Sequence, residues 1–182
     1  MQAVDALSFT PMANIVRFLH SADLHLDSPL RSLASRNSEL GTLLEDVSRT
    51  VLCRLVDTAI EEAVDAVLIA GDLFDGELRD VRTAKLLERE LQRLADVNIP
   101  VFIIWGNHDA EAKLGEVLDL PANVHTFNGR GGSASFADNQ AVVHGVSFAK
   151  RKAPNSLLPK FSPPAPGCFN IGMLHTSLTG SE

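Results

Sequence analysis

The sequence is poor in the residues on which several classes of protein depend. Tyrosine is absent and there is one tryptophan, so stacking on aromatic side chains is not a dominant means of binding. Only two cysteines occur, Cys53 and Cys168, without a C-x-x-C spacing, which argues against a disulfide framework or a structural zinc site. No apolar run approaches the length of a membrane span, and the N-terminus lacks a basic region followed by an apolar one. We therefore expect a cytoplasmic protein with no membrane partner.

Positive charge is also in short supply. Sixteen Lys and Arg residues face 23 Asp and Glu residues, for a net charge of -7. This balance argues against a protein that coats nucleic acid through bulk charge. A local basic groove, or a bound cation that outweighs nearby carboxylates, is compatible with it. The remaining composition, 45% hydrophobic and 21% charged over 182 residues, is that of one globular domain.

Apolar periodicity predicts the order β-α-β-α-β in the first two thirds of the chain. The crossovers span about 30 or more residues, which favours parallel strands. The predicted elements are a strand at Ile15–Leu19, a helix from about Thr42 to Val64, a strand at Val67–Ala70, a helix from Val81 to Leu94, a third strand at VFIIW, residues 101–105, and a short helix near Glu111–Leu118.

Each of the two long helices is expected to bury one face. The first has apolar residues at helical spacing at Leu44, Val47, Val51, Leu55, Ala59 and Ala63, and the second at Ala84, Leu87, Leu91 and Leu94.

After Pro121 the pattern changes to short β-type runs, NVHTF, SASF and AVVHGVSF, which suggest antiparallel strands. A proline-rich surface excursion over residues 150–167 follows, and FNIGML returns as another apolar strand. We interpret residues 1–11 as an N-terminal extension and residues 12–182 as one α/β domain, a layered β-sandwich with flanking helices.

Polar side chains follow each of the four core-like strands. Because ligands of open α/β sheets gather at the carboxyl ends of the strands, we expect these residues to meet. They are Asp23, His25, Asp72, Asn107, His108 and His175.

The donor types indicate a site for a hard or borderline cation. Asp23 and His25 are two residues apart and would point to the same side of an extended backbone. The carboxylate of Asp72 could bridge two ions, and Asn107 offers an amide oxygen. Oxygen and nitrogen donors without thiolate suit Mn²⁺, Mg²⁺, Fe or Zn²⁺ in a hydrolytic site. His108 neighbours Asn107 and is better placed beside the ions, as a proton donor to a leaving alkoxide.

Four motifs in order, HSADLHLDSPL, AGDLFDG, WGNHDAE and IGMLHTSL, resemble the calcineurin-like metallophosphoesterases. Within that superfamily they are similar to the DNA-repair exonuclease branch, the SbcD-like and YhaO-like proteins. The resemblance covers the chain from about residue 15 to its end. Any one motif alone would be weak, but four at successive strand ends are specific.

The resemblance implies a two-metal phosphodiesterase, with Mn²⁺ as the expected ion. It implies that Asp23, His25 and Asp72 hold one ion and that Asp72, Asn107 and His175 hold the other. His108 is then the catalytic acid, Asp75 orients it, and Asp109 structures the loop. The implied partners are DNA or another phosphodiester and an ATPase subunit as in SbcCD-type complexes, with a homodimer as a further option.

The sequence departs from the family in one respect. Two further metal-ligating histidines, in a G-H-x-H motif, do not occur before Glu182. We therefore expect a domain that is truncated at its C-terminus. Two alternatives follow: a small-molecule phosphodiesterase or phosphomonoesterase, and a catalytically inactive fragment.

Two local features have competing interpretations. Asp75 could instead cap a helix that begins near Leu78. The basic trio Lys150-Arg151-Lys152 is interpreted as a solvated loop, with a contact to a phosphate backbone as the alternative.

Overall fold

A computed structural model describes residues 15–26, 28, 38–75, 80–111 and 118–176, with only the backbone of residues 38–46 and 111. The predicted extension, residues 1–11, lies outside this part of the chain. Residues 112–117 of the predicted short helix also lie outside it, and what precedes them is a 3-10 turn at Asp109–Glu111. Neither of the long helices described is long and apolar enough to cross a bilayer.

The described residues form two sheets and two long helices. The first sheet contains β1 (Phe18–Ser21), β2 (Ala66–Ala70), β3 (Val101–Ile104) and β4 (Val124–Thr126) in that order, with all neighbours parallel. The second contains β5 (Gly132–Phe136), β6 (Ala141–Val146) and β7 (Phe169–Leu174), in which β5 is antiparallel and β7 parallel to β6. The helices are α1 (Ser38–Glu61) and α2 (Val81–Asp96).

The two central strands of the first sheet, β2 and β3, are buried on both faces, which is why they are uniformly apolar. One face packs against the helices and the other against the second sheet. The helix-facing core includes Val67, Ile69, Ile103, Leu87 and Leu91. The core between the two sheets includes Leu68, Phe102, Ile104, Val143 and Met173. The result is the layered β-sandwich with flanking helices that the sequence predicts.

The predicted direction of one strand is wrong. The run NVHTF contributes β4, which is parallel to β3, whereas the expectation was antiparallel pairing throughout this region. The chain crosses over between Ile104 and Val124 and enters the sheet from the same end as before. The antiparallel expectation holds for β5 and β6.

The predicted buried face of α1 is confirmed only in part. Ala59 is fully buried and Leu55 packs against the core, as predicted. Val47 and Val51, however, are 48% and 45% exposed, and the core instead uses Leu52 and Val56, each one position further along the helix than Val51 and Leu55. The predicted face of α2 is confirmed, since Ala84, Leu87, Leu91 and Leu94 are all buried.

Candidate metal centre

The carboxyl ends of β1 and β2 are joined by backbone hydrogen bonds that bring their loops side by side. The amide of Asp23 donates to the Gly71 carbonyl over 3.1 Å, and that of His25 donates to the Asp72 carbonyl over 3.0 Å. The predicted extended backbone at Asp23 and His25 is wrong, because their φ angles are 55° and 43°. Asp72 is also left-handed, at 51°. Non-glycine residues rarely adopt this conformation, and it is concentrated at functional sites.

These loops place three potential ligand residues together. One ligand atom each from Asp23, His25 and Asp72 lies within 4.8 Å of the others. Nε2 of His25 is 3.9 Å from Oδ1 of Asp23 and 3.9 Å from Oδ2 of Asp72. Donor atoms that share one cation at about 2.1 Å lie roughly 3 to 4 Å apart, so this spacing fits a single ion.

His175 brings a fourth potential ligand from the second sheet, directly after β7. Its Nε2 lies 3.4 Å from Oδ2 of Asp72. Its Nδ1 donates to the Ala70 carbonyl over 3.0 Å, which directs Nε2 towards the carboxylate. A backbone carbonyl that fixes one ring nitrogen is the usual support of a metal-binding histidine.

We call Asp23, His25, Asp72 and His175 the ligand group, and Asp72 is the residue that contacts the imidazoles of both histidines. Its Oδ2 faces the imidazoles of His25 and His175, and its Oδ1 accepts the His108 amide over 3.1 Å. Burial acts to raise the pKa of Asp72, but the contacts with His175 and with the His108 amide outweigh burial and lower it. The contact with Asp72 raises the pKa of His175 to about 9, although burial opposes the change. One oxygen of Asp72 is thus held by a hydrogen bond and the other faces both imidazoles, which suits a carboxylate that bridges two ions.

Two glycines make room for this carboxylate and its partner. A Cβ on Gly71, whose φ is 87°, would lie 2.6 Å from Nδ1 of His175. A Cβ on Gly106 would overlap the Asp72 carboxylate itself. Gly106 therefore permits the close approach of the backbone to this carboxylate.

His108 lies beside this group and is paired with Asp75. Its Nδ1 is 2.7 Å from Oδ1 of Asp75, and because an ionised carboxylate only accepts, Nδ1 carries the proton. Oδ2 of Asp75 accepts from the Ser28 hydroxyl over 3.0 Å. Burial acts to raise the pKa of Asp75, but the hydrogen bonds from Ser28 and His108 lower it. The ring of His108 meets that of His25 edge-on, with centroids 5.4 Å apart.

The alternative role of Asp75 as a helix cap is wrong. The cap of α2 is Asp80, whose side chain accepts from the Arg82 amide over 2.8 Å. The role of Ser28, by contrast, was missed from the sequence. The sequence feature that could have revealed this role is the position of Ser28 in a DSP triplet close to the DLH motif.

Asp109 is the buried support of both loops. Its carboxylate accepts from the amides of Leu73, Phe74 and Gly106, over 3.1, 2.8 and 3.0 Å. Burial raises the pKa of Asp109, and the three hydrogen bonds oppose that rise. The predicted loop-structuring role is confirmed by these bonds.

Asn107 and His175 line one open cleft of about 970 Å³ together with Asp23. His25, His108 and Asp75 line another cleft, of about 610 Å³, which Asp23 also borders. The structure thus gathers all seven residues predicted for the site at the carboxyl edge of the first sheet.

Comparison with known proteins agrees with this geometry. Residues 16–168 match the calcineurin-like phosphoesterase family. The chain is 30% identical over 175 residues to the uncharacterized metallophosphoesterase YhaO of Bacillus subtilis, covering 94% of this chain and 43% of YhaO. It is 34% identical over 110 residues to the DNA double-strand break repair protein Mre11 of Saccharolobus solfataricus, covering 60% of this chain and 26% of that protein.

The chain therefore belongs to the calcineurin-like phosphoesterase family, and its relatives include YhaO and Mre11. It spans less than half the length of either relative. A dimetal phosphatase from Danio rerio overlaps with a TM-score of 0.45 at 16% identity, over 78% of this chain and 48% of that one, which is too loose to inform the site.

Proposed function

We propose that the protein is a metal-dependent phosphodiesterase that acts on DNA in the manner of an exonuclease. The observation that carries this proposal is the His108–Asp75 pair, 2.7 Å apart, next to the group formed by Asp23, His25 and Asp72. A proton donor beside a cluster of oxygen and nitrogen ligands suits the hydrolysis of a phosphate ester. The similarity to a DNA double-strand break repair protein supports DNA as the substrate.

The residues present fit divalent cations. Asp23, His25 and Asp72 would hold one ion, and Asp72, Asn107 and His175 a second. We propose Mn²⁺ from the resemblance to the family, and the oxygen and nitrogen donors suit Mg²⁺, Fe or Zn²⁺ as well. When bound, such ions supply Lewis-acid polarisation of a phosphoryl oxygen and activation of a water. The expected ATPase partner, homodimer and cytoplasmic location stay predictions.

The role of His108 follows from its hydrogen bonds. Asp75 accepts from Nδ1 and so fixes the orientation of the ring, which leaves Nε2 to carry the proton for the leaving oxygen. The amide of His108 donates to Asp72, which sets the distance between the proton donor and the ligand group. Ser28 holds the other oxygen of Asp75 and so limits rotation of the carboxylate.

The test is the substitution His108→Ala in protein loaded with Mn²⁺. Loss of a general acid costs about 100- to 10,000-fold in kcat, so hydrolysis of a single-stranded oligonucleotide, whose alkoxide leaving group needs a proton, should fall by that factor while metal content is retained. His125→Ala, an exposed histidine on β4, is the matched control. Equal loss of metal and activity would make His108 a ligand instead.

The same assay separates the competing functions. Turnover of a single-stranded oligonucleotide that exceeds turnover of p-nitrophenyl phosphate supports the proposal. Faster turnover of the monoester would favour a phosphomonoesterase. Stoichiometric Mn²⁺ without hydrolysis of any ester would identify a chain that folds and binds metal but does not catalyse.

A further inference from the structure

The ligand group separates two clefts of different chemistry. The first contains His25, His108 and Asp75, and one wall is the exposed stripe of α1 at Val47 and Val51. The second contains Asn107 and His175 and reaches the basic segment of the proline-rich excursion. Asp23 borders both clefts, so a substrate centred on the ligand group would extend into each of them.

The position of the proton donor distinguishes the two sides. His108 lines only the first of these clefts, as the structure describes them. If His108 protonates the leaving oxygen, as proposed above, the leaving group lies in the first cleft. The fragment that retains the scissile phosphate then extends into the second cleft, which holds Arg151 and Lys152. This step rests on the proposed function.

The basic segment is attached close to the ligand group. The Phe148 amide donates to the Trp105 carbonyl over 2.9 Å, and the Phe148 ring meets the His175 ring with centroids 6.1 Å apart. Arg151 therefore lies three residues beyond a point fixed against a proposed metal ligand. The attachment extends one residue further back, because the Ser147 hydroxyl accepts from the Trp105 amide and donates to the Phe127 carbonyl.

The excursion is attached to the second sheet region again further along, at Lys160. The Lys160 ammonium donates to the Gly129 carbonyl over 2.7 Å. The backbone of Lys160 also packs so closely on Gly131 that a Cβ there would lie 2.5 Å from its carbonyl oxygen. A loop held at both ends loses less entropy when it binds a ligand than a free loop does.

The charges in the second cleft favour an anion distant from the ligand group. Asp23 and Asp72 make the centre acidic, whereas Arg151 and Lys152 supply two positive groups on the cleft wall. Arg151 forms no salt bridge with any other residue that the structure describes. A guanidinium beside an ammonium matches the charge and the hydrogen-bonding geometry of a phosphate diester.

We propose that Arg151 and Lys152 bind a second phosphate, the one next to the scissile phosphate on the retained fragment. The site then prefers phosphodiesters that carry such a phosphate, which is a property of nucleic acid and not of a simple diester. The basic trio is thus divided: Arg151 and Lys152 line the cleft, and Lys150 does not.

The kinetic test uses p-nitrophenyl esters of thymidine 5′-phosphate and of thymidine 3′-phosphate, each with and without a phosphate on the other hydroxyl. In one of the two polarities the second phosphate should lower KM about 10-fold, the equivalent of about 1.4 kcal/mol. Arg151→Ser and Lys152→Ser should each bring the ratio of KM without the second phosphate to KM with it towards one. Lys150→Ser, which removes the same charge from the same loop, should keep it.

Equal KM with and without the second phosphate in both polarities would overturn the proposal. An equal reduction of the ratio by Lys150→Ser would also overturn it, because bulk charge would then explain the effect.

A binding measurement in EDTA separates this proposal from the proposed function. A fluorescein-labelled hexathymidylate is titrated with the chain over a range of salt concentrations, with anisotropy as the readout. Arg151→Ser and Lys152→Ser should each reduce the slope of log K against log salt by about one, and Lys150→Ser should not. This pattern of slopes supports the phosphate site even if the wild type hydrolyses no diester. Slopes that none of the three variants changes would refute the phosphate site.

Discussion

Both edges of the first sheet contain residues with left-handed backbone, but the reasons differ. At the amino edge, Ala63 and Asn98 have φ angles of 46° and 60° and each follows a helix. Their amides donate three residues back, and the following amides, of Val64 and Ile99, donate five residues back. This is the Schellman pattern that closes a helix. At the carboxyl edge the left-handed residues close no helix.

The left-handed residues at the carboxyl edge instead belong to the candidate metal centre. Asp23, His25 and Asp72 each combine a left-handed backbone with a side chain in the ligand group. A left-handed non-glycine residue costs about 1–2 kcal/mol, and nothing in the local hydrogen bonding of a helix offsets that cost here. The same backbone conformation is therefore a structural device at one edge and, on the proposed function, a means of aiming ligands at the other.

The largest effect is expected from Gly106→Ala. The new Cβ would overlap the Asp72 carboxylate, so either Asp72 or the loop must move, and Mn²⁺ affinity should fall by about 100-fold or more. Overpacking should also lower the free energy of unfolding by about 1–3 kcal/mol. Isothermal titration calorimetry measures the Mn²⁺ affinity, and urea unfolding measures the free energy of unfolding.

Gly172→Ala is the matched control, since its Cβ would meet only the Phe161 ring at 3.5 Å. Equal effects of the two substitutions would show that the proximity of Gly106 to Asp72 is not what matters.

A second expected effect separates strain from ligation at one residue. Asp23→Gly removes a ligand but relieves the left-handed backbone, at a cost of about 0.5–1 kcal/mol for the extra freedom of glycine. Because aspartate, like asparagine, tolerates this conformation, the stability of the variant in EDTA should lie within about 1 kcal/mol of the wild type, while Mn²⁺ affinity drops by at least about 100-fold. A variant that is less stable in EDTA by more than about 1 kcal/mol would mean that Asp23 is needed for folding.

A third expectation concerns pH in the metal-free protein. Because the folded state raises the pKa of His175 from an ordinary value near 6.5 to about 9, it holds this proton more tightly than the unfolded state does. The resulting stability is fully present below pH 6.5 and is lost as pH rises through about 9. We expect a loss of about 1–3 kcal/mol over that window in EDTA.

His175→Gln should abolish this loss, and thermal unfolding at several pH values measures it. A wild type and a variant that lose the same stability between pH 6.5 and 9 would exclude His175 as the source.

The smallest effect is expected at the amino edge. Ala63→Gly relieves the left-handed alanine and should change the free energy of unfolding by less than about 1 kcal/mol, in the stabilising direction. Asn98→Gly should be close to neutral because asparagine tolerates this conformation. Mn²⁺ affinity should be unchanged in both. A change in affinity would remove the distinction between the two edges.

The sequence was sufficient to predict which residues gather at the carboxyl edge. Parallel strands end on one side of a sheet, and Asp72 and Asn107 each follow a strand of the first sheet, so these two could be brought together without coordinates. His175 follows β7 of the second sheet, so this rule does not place it, and only the order of the four motifs indicated its position.

Other features depend on contacts between distant segments. Two apolar stripes of α1 satisfy helical periodicity, so only packing decides that Leu52 is buried and Val51 is not. A three-residue strand such as β4 carries no signal of its direction. The proximity of Gly106 to Asp72, and of Arg151 to the ligand group, joins positions more than 20 residues apart, which no local pattern records.

The metal site itself is best tested by titrating the chain with Mn²⁺ and counting tightly bound ions in the wild type and in Asp72→Asn. The substitution keeps the size of the side chain and removes the charge that faces His25 and His175. We expect stoichiometric binding of two ions by the wild type and of none by the variant. Wild-type protein that binds no Mn²⁺, or a variant that keeps both ions, would contradict a metal centre shared through Asp72.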